Sequence, residues 1–304
     1  MPRVSVVIPA YNAAALLGET LSSVLQSSYR DFDVVVVNDG SADNTAAVAE
    51  KFGSLVRVIT QTNSGMSAAR NRGIEASDSE FIALLDSDDV WHPEKLMWQV
   101  EALDAHADHA YCFTEFQSWS GGPTSEFISE NRNGAIASEL SGWIYHKLLL
   151  TNWTLPSSLL FRREAWNTTG PFLCHDQQTD DWEYVVRASQ SHCFLKLLGS
   201  FVLYRQTPGS LSRKLKKCNN TEAMRESFIT QYGTASANGE QVNKVELESR
   251  RYLGWSNFAD AHCAHGNLGV GLSAFSSLIL NGPSRSESFH RLTKSLIRRF
   301  IPKG

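Results

Sequence analysis

The chain has 304 residues, of which 42% are hydrophobic and 20% are charged, so it can bury a core and is not a disordered tail. Its 28 basic and 32 acidic side chains give a formal net charge of −4, which argues against a dedicated nucleic-acid binder. No apolar run approaches the roughly eighteen residues that a membrane span requires, and the five cysteines form no C-x-x-C pair. Because no charged leader precedes the first apolar run, we expect a cytoplasmic α/β protein without a signal peptide.

The first hundred residues alternate between strand and helix patterns. Short apolar, β-branched runs predict buried strands at 4–8, 32–37, 56–59 and 81–85. Helical spacing of apolar residues predicts helices at 13–25, 43–52, 67–76 and after Pro93. Strands that alternate with helices in this way imply right-handed crossovers and a parallel sheet.

The pattern becomes less regular after residue 108. It predicts strands at 111–116, 157–161 and 201–204, a helix at 182–189, and a Gly/Ser/Asn-rich loop at 118–138. Further along, two segments at 245–264 and 269–280 predict a helical hairpin. Residues 291–303 form a short basic amphipathic segment, which either packs on the protein or lies on an anionic membrane surface.

Acidic residues follow the predicted strand at 81–85. Asp86, Asp88 and Asp89 stand at its carboxyl end, the edge where parallel sheets bind ligands. Adjacent carboxylates repel each other unless one is protonated or a cation such as Mg²⁺ or Mn²⁺ bridges them. By itself the turn is better explained by a helix N-cap, so a cation site depends on the rest of the sequence.

Four motifs in a fixed order supply that context. They are VVIPAYN at 6–12, VVVNDGS at 35–41, NSG at 63–65 with AARN at 68–71, and LLDSDD at 84–89. Together they closely resemble the nucleotide-sugar-binding half of family 2 glycosyltransferases, which are inverting enzymes of the GT-A fold. The resemblance implies a Rossmann-like α/β fold, with a mixed, mainly parallel sheet flanked by helices and a helical C-terminal extension.

The resemblance also implies a domain organisation. Residues 1–213 would form the GT-A domain, with a nucleotide-sugar-binding half at 1–108 and an acceptor and catalytic half at 109–213. Residues 214–304 would form the helical extension.

Several donor-binding roles are implied for the motif residues. Pro9, Ala10 and Tyr11 would line the base and ribose pocket, with the Tyr11 ring against the flat base. Asp39 would accept the imide N–H of uracil or thymine, because a carboxylate is an acceptor only. Arg70 would approach the diphosphate or the base edge. The alternatives are an Asx turn at Asp39 and a surface arginine at Arg70.

The remaining donor and metal positions follow from the same resemblance. Glu19 matches a carboxylate that reaches the ribose in relatives, or else it is a solvated charge on a helix face. Asp86 would contact the ribose or sugar, and Asp88 is the first choice as ligand of a divalent cation, Mn²⁺ or Mg²⁺. The donor-binding set is completed by Gly65, Ser87, Arg205 and Ser210. The last two belong to residues 204–213, which resemble a loop that folds over the donor, the alternative being a polar linker.

A second acidic pair, Asp180 and Asp181, opens the predicted helix at 182–189. Alone it is explained by the helix dipole. Displacement of a nucleoside diphosphate from an anomeric carbon requires a base, however, and the family places that base at the second acid of such a pair, here Asp181. Relatives more often carry Glu at the first position, so Asp180 is the second candidate for the base.

These motifs predict a metal-dependent inverting transferase that moves a sugar, with a UDP-sugar favoured over dTDP-sugar, to a glycan or lipid-linked glycan. Bacterial surface polysaccharide synthesis at the inner face of the plasma membrane is the expected setting. The alternatives are an inactive nucleotide-sugar sensor and, less favoured, a sugar nucleotidyltransferase, which would require a glycine-rich loop where Pro9-Ala10-Tyr11 stands. A dinucleotide-dependent oxidoreductase is excluded because G-x-G-x-x-G does not follow the first strand.

Overall fold

The structure is a computed structural model that describes residues 1–129, 133–174, 180–207 and 215–300. The described residues within 1–148, 152–207 and 236–238 form one compact unit, and those within 149–151, 215–235 and 239–300 form another. The predicted division at residues 108/109 and 213/214 stays a prediction.

The first unit begins with the predicted alternation of strands and helices. Its strands are β1 (Val4–Ala10), β2 (Phe32–Asp39), β3 (Val56–Gln61) and β4 (Phe81–Leu84). Its helices are α1 (Leu17–Leu25), α2 (Thr45–Glu50), α3 (Met66–Glu75) and α4 (Lys95–Ala105). All seven residues of β1 are buried, as expected for a strand covered on both faces.

The rest of this unit adds four strands to the same sheet. They are β5 (Val90–Trp91), β6 (His109–Trp119), β7 (Leu160–Arg162) and β8 (Cys193–Arg205). The helices between them are α5 (Ser125–Ser129), α6 (Tyr145–Leu148), α7 (Arg163–Thr169) and α8 (Asp180–Ala188).

The sheet has the strand order β3-β2-β1-β4-β7-β6-β8-β5. Pairs among β1 to β4 are parallel, as is the β6–β8 pair, whereas β7 is antiparallel to both neighbours and β5 is antiparallel to β8. The prediction of a mixed, mainly parallel sheet flanked by helices is therefore confirmed. Since β1, β2 and β4 run in parallel, their carboxyl ends meet at one edge.

Close packing of α3 against this sheet depends on a glycine. A Cβ atom added at Gly73 would lie well inside van der Waals contact of Val7 Cγ1 on β1. The absence of a side chain at this position therefore allows α3 to approach the sheet closely.

Several predicted boundaries were wrong. The helix expected from residue 13 begins at Leu17, after a turn in which the Ala13 carbonyl accepts from the N–H groups of Leu16 and Leu17. The loop expected at 118–138 contains α5, whose Phe127 is buried against Val90 and Leu203. Residues 130–132 of that loop lie outside the described residues.

Two strands also differ from their prediction. The strand expected at 157–161 begins at Leu160, because residues 156–158 form a short 3₁₀ turn. The strand expected at 201–204 is the end of the thirteen-residue β8. Its first half, from Cys193 to Leu198, is mostly apolar and was missed; Gly199 and Ser200 interrupt the apolar run at the point where the register with β6 shifts.

The second unit is helical, as expected for the C-terminal region. Its helices are α9 (Asn220–Tyr232), α10 (Lys244–His265), α11 (Leu268–Asn281) and α12 (Arg285–Phe300). The predicted hairpin is formed by α10 and α11, which pack through a small core of Ala259, Cys263, Phe275 and Leu278. Within the described ranges, no helix combines the length and apolarity that crossing a membrane would require.

Candidate active site

The predicted donor-site residues lie at the carboxyl ends of three adjacent strands. Pro9 and Ala10 end β1, Asp39 ends β2, and Asp86 lies just beyond β4. Ala10 is buried, whereas the next side chain, Tyr11, is 53% exposed. An exposed aromatic ring beside a buried strand end is free to pack against a planar group.

Asp39 holds the loop between β3 and α3. Its carboxylate is buried and accepts hydrogen bonds from Gln61 Nε2 at 2.8 Å and from the backbone N–H groups of Ser64 and Gly65, both at 2.9 Å. The turn after β2 is closed instead by Asn38, whose side-chain oxygen accepts from the N–H of Ser41. A carboxylate has about four acceptor positions, so roughly one remains at Asp39 after these three bonds.

Arg70 is a buried residue of α3, with only 3% of its side chain exposed, so it is not a surface arginine. Its Nη2 donates to Asp86 Oδ1 at 2.6 Å. Its Nε is buried and has no hydrogen-bond partner in the described part of the chain. A buried cation with an unused donor, next to a carboxylate, is suited to bind an anionic group.

The acidic turn after β4 contains carboxylates in different environments. Burial, and then the charge of Asp86, raises the pKa of Asp88 to about 6. The Asp89 side chain is fully buried, and burial is also the main reason why its pKa is well above the ordinary value. Asp89 accepts from the Ser157 hydroxyl at 2.6 Å and from the backbone N–H of Arg205 at 2.9 Å.

Ser157 is a functional candidate that the sequence did not reveal. Its buried hydroxyl donates to Asp89 and accepts from the backbone N–H of Asp86 at 3.0 Å. It therefore fixes both ends of the turn that carries Asp88. No sequence pattern marks it, because its partners lie 68 and 71 residues earlier in the chain.

Arg205 links this turn to α1. Its Nε donates to the carbonyl of Asp88 at 2.6 Å, and its Nη2 pairs with Glu19 Oε2. The guanidinium carbon lies 4.2 Å from the centre of the Trp119 ring. Glu19 is thus paired with Arg205, and the Thr20 hydroxyl beside it donates to the carbonyl of Ser87 at 3.1 Å. The other predicted residue of this segment, Ser210, lies outside the described residues.

Asp180 and Asp181, at the start of α8, have different partners. Asp180 is buried and accepts from the Ser67 hydroxyl of α3 at 2.8 Å. Burial raises the pKa of Asp181 to about 6; the positive charge of Arg70 opposes this rise and the negative charge of Asp86 adds to it. Asp181 therefore interacts electrostatically with Arg70 and Asp86.

A second contact of α3 supports the approach to α8. The Asn71 side chain accepts from the N–H of Phe172 and donates to the carbonyl of the same residue, both at 2.9 Å. The Phe172 ring stacks on Tyr184 of α8, with centroids 3.8 Å apart. The Asn71–Phe172 contact and the Ser67–Asp180 bond together connect α3 to α8. Since Arg70 of α3 also bonds to Asp86, this one helix contacts both the acidic turn after β4 and the acidic pair of α8.

A cation at this site would need ligands besides the two carboxylates Asp86 and Asp88. Among residues 1–129, 133–174, 180–207 and 215–300, no group of three or more His, Cys, Asp or Glu side chains could hold a metal ion. Asp86 and Asp88 nevertheless fit one, because Asp88 is desolvated beside the like charge of Asp86 and a hard divalent cation would relieve that repulsion. Two carboxylates plus phosphate oxygens is a usual ligand set for Mg²⁺ or Mn²⁺.

Comparison with protein families gives a match over more than half of the chain. The glycosyl transferase family 2 model matches residues 5–169. An uncharacterized glycosyltransferase of Rickettsia felis is 39% identical over 105 residues, which are 34% of this chain and 17% of that protein. The putative teichuronic acid biosynthesis glycosyltransferase TuaG of Bacillus subtilis is 35% identical over 133 residues, covering 42% of this chain and 52% of that protein. The matches thus span less than two thirds of these relatives.

Solved structures share the fold over almost the whole chain. Residues 1–349 of S. aureus TarS, in complex with UDP-GlcNAc, superpose with a TM-score of 0.63 at 17% identity, covering 98% of this chain and 89% of that one. The mannosyltransferase PcManGT from Pyrobaculum calidifontis, in complex with GDP-Man and Mn²⁺, gives 0.52 at 18% identity, covering 100% and 88%. At such low identity these similarities establish the fold alone.

Proposed function

This chain belongs to glycosyl transferase family 2 and has the GT-A fold. From that premise we propose that it is a nucleotide-sugar glycosyltransferase, a metal-dependent inverting enzyme with Asp181 as its base. The observation that carries the proposal is the position of Asp181. Its carboxyl group has a pKa raised to about 6 and interacts electrostatically with both Arg70 and Asp86. The base, the buried cation and the acidic turn are therefore neighbours.

The proposed reaction is a single displacement. Asp181 takes the proton of an acceptor hydroxyl, and the hydroxyl oxygen forms a bond to the anomeric carbon of the donor. The bond from that carbon to the nucleoside diphosphate breaks on the opposite face, which inverts the configuration. A carboxyl group with a pKa of about 6 is mostly ionised at neutral pH and is a stronger base than an ordinary aspartate.

Charge that develops on the leaving diphosphate requires stabilisation. The Arg70 guanidinium, buried and with its Nε unused, is the protein group best suited to this. A divalent cation, when bound through Asp88 and Asp86, supplies further positive charge at the diphosphate.

The two candidates for the base take separate roles in this proposal. Asp180 is held by the Ser67 hydroxyl at 2.8 Å and is buried, so it positions the start of α8. Asp181 is left to act on the acceptor. This assignment follows the family resemblance, in which the second acid is the base.

For the donor we favour a UDP-sugar, with dTDP-sugar as the alternative. The remaining acceptor position of Asp39 suits an imide N–H, and the exposed ring of Tyr11 suits the flat face of a pyrimidine. The other proposed donor-binding residues are Pro9, Ala10, Glu19, Gly65, Ser87, Arg205 and Ser210. Because Glu19 and Arg205 form an ion pair, we propose that they contact the donor together, beside the turn at residues 86–89.

The acceptor is proposed to be a glycan or lipid-linked glycan of bacterial surface polysaccharide synthesis, assembled at the cytoplasmic face of the membrane. Support comes from TuaG, a relative whose name refers to teichuronic acid biosynthesis. Residues 291–303 are the segment proposed to contact that membrane. The domain division proposed above follows the same reasoning, with the transferase site in residues 1–213.

Calorimetric titration of UDP tests the donor site. We expect micromolar binding with Mn²⁺ that is lost in excess chelator and in Asp88→Ala. Glu75→Gln, an exposed carboxylate of α3, is the matched control and should bind as the wild type does. Binding that is unchanged by chelator would overturn the metal requirement, and binding of dTDP or GDP without UDP would overturn the choice of nucleotide.

A transfer assay with a panel of UDP-sugars then separates the enzyme from a sensor. We expect slow donor hydrolysis by the wild type and none by Asp181→Asn, although both bind UDP. A wild-type protein that binds UDP but neither hydrolyses nor transfers any donor would favour the inactive sensor.

A further inference from the structure

The solvent-facing side of α12 carries large apolar side chains. Phe289, Ile297 and Phe300 are 63%, 50% and 67% exposed. Their spacing along the helix places them on one side, whereas the buried positions Ser288 and Ser295 lie on another. Bulky apolar groups aligned on an exposed helix side indicate a surface that another apolar phase covers.

Basic side chains run beside this apolar stripe. Lys294 and Arg298 are one turn apart, and neither has a hydrogen-bond or ion-pair partner among the residues that the structure describes. Both line a groove of about 510 Å³ between α10 and α12, together with His265, Arg291 and Asp260. The Asp260 carboxylate is already engaged, since it accepts from Arg291 Nε at 2.9 Å and from the Ser295 hydroxyl. The groove therefore presents unpaired positive charge.

The charge of α12 differs in sign from that of the chain. This helix contains five basic residues and one acidic residue, Glu287, a formal charge of +4, whereas the whole chain carries −4. A local excess of positive charge on an otherwise acidic protein favours contact with a negatively charged surface. A helix with adjoining apolar and basic sides has the pattern of one that lies in a lipid–water interface.

We propose that the exposed side of α12 binds the surface of an anionic phospholipid bilayer. Phe289, Ile297 and Phe300 enter the boundary between headgroups and acyl chains, and Lys294 and Arg298 contact lipid phosphates. This rests on and deepens the membrane contact proposed above for residues 291–303, since it names the side chains and the lipid involved. It does not depend on sugar transfer, because no residue of the proposed active site takes part.

A second copy of the chain is the other occupant to consider. In a symmetric pair formed through the exposed side of α12, the basic side chains of one copy would approach the same side chains of the other copy. The Lys294 and Arg298 side chains of the two copies would then repel each other, as would the other excess positive charges of each helix. Charge complementarity therefore favours the bilayer.

Vesicle flotation with the full chain tests the proposal. The vesicles contain phosphatidylcholine with or without phosphatidylglycerol. We expect binding to the vesicles with phosphatidylglycerol only, and a decrease as salt is added. Lys294→Gln with Arg298→Gln should weaken binding about thirtyfold, from the usual contribution of a basic residue near such a surface. Phe289→Ser with Ile297→Ser and Phe300→Ser should abolish it.

Matched controls keep the test specific. Arg30→Gln with Lys51→Gln removes two exposed cations of the other unit, and Val245→Ser with Leu253→Ser removes two exposed apolar side chains of α10. Both controls should bind as the wild type does. Thermal melts show that each variant is folded, and UDP calorimetry reports the donor site separately, so failure here leaves the transferase proposal unaffected.

Three outcomes would overturn the proposal. They are wild-type binding to neither vesicle, equal binding to both, or binding by the α12 variants equal to that of the wild type. A wild-type dimer in light scattering that the apolar triple variant abolishes, without vesicle binding, would assign the surface to a second copy instead.

Discussion

Replacing Asp181 with asparagine should stabilise the folded protein at neutral pH while it removes sugar transfer. The wild-type carboxyl group is ionised at neutral pH in an environment that disfavours its charge, mainly because of burial. An asparagine side chain has nearly the same shape and no charge, so it avoids this cost. It also cannot accept the acceptor proton, and loss of a general base typically lowers kcat about 10²–10⁴-fold.

The pKa gives the size and sign of the stability change. A rise from 3.8 to about 6 corresponds to about 3 kcal/mol in the free energy of unfolding. Because the side chain is only partly buried, we expect a gain of about 1–3 kcal/mol. Below about pH 4 the group is protonated in both the folded and the unfolded state, and variant and wild type should be equally stable. As the pH rises from about 4 through 6, the free energy of unfolding of the wild type falls below that of the variant, because the buried carboxyl group must ionise.

Urea unfolding at about pH 4 and about pH 7.5 measures this difference. Asp180→Asn is the matched control, because Asp180 accepts the Ser67 hydroxyl and a neutral acceptor there should cost about 1 kcal/mol at pH 7.5. The two neighbouring substitutions should thus have opposite effects. The reasoning would be refuted if Asp181→Asn were less stable than the wild type at pH 7.5, or if its gain were equally large at pH 4.

Two further substitutions test the packing around the site. Ser157→Ala should lower the free energy of unfolding by about 1–3 kcal/mol and weaken UDP binding about tenfold, because the 86–89 turn loses its support. Ser158→Ala, at a buried neighbour whose hydroxyl bonds to the backbone of Leu155, should cost similar stability and leave binding intact. Equal binding losses would contradict the role of Ser157. Gly73→Ala should destabilise by about 1–3 kcal/mol in urea unfolding through overlap with Val7, whereas Gly18→Ala, whose added Cβ would make only ordinary van der Waals contact with Val48, should not. A neutral Gly73→Ala would show that α3 can move away.

Local patterns were sufficient for the first half of the fold. The apolar run that becomes β1 ends at Pro9, and the acidic turn after β4 follows a run that is wholly buried, so both strand ends were placed to within two residues. Parallel connection then brings those ends to one edge of the sheet. The prediction of the fold class followed from these features and from the family resemblance.

Longer-range contacts explain what the sequence did not show. The two halves of β8 join across Gly199 and Ser200 because both pair with β6, where the Glu115 carboxylate accepts from Lys196 and from the backbone N–H of Gly199. Ser157 likewise has no predicted role until Asp89 stands beside it, and the motif residue Asn71 has its partner, Phe172, 101 residues later in the chain. The different roles proposed for Asp180 and Asp181 depend on a serine of α3, which helical periodicity could not identify.

The bonds from α3 to residues near α8 also determine when the site can form during synthesis. Ser67 and Asp180 are 113 residues apart, and Asn71 and Phe172 are 101 apart. At a translation rate of about 5–20 residues per second, these partners leave the ribosome roughly 5–20 s after α3. The four parallel strands can assemble in that interval, but the donor-side residues reach their final positions only once α8 has emerged. Nascent chains that stop before α8 would therefore contain the first four strands without Asp181, the proposed base.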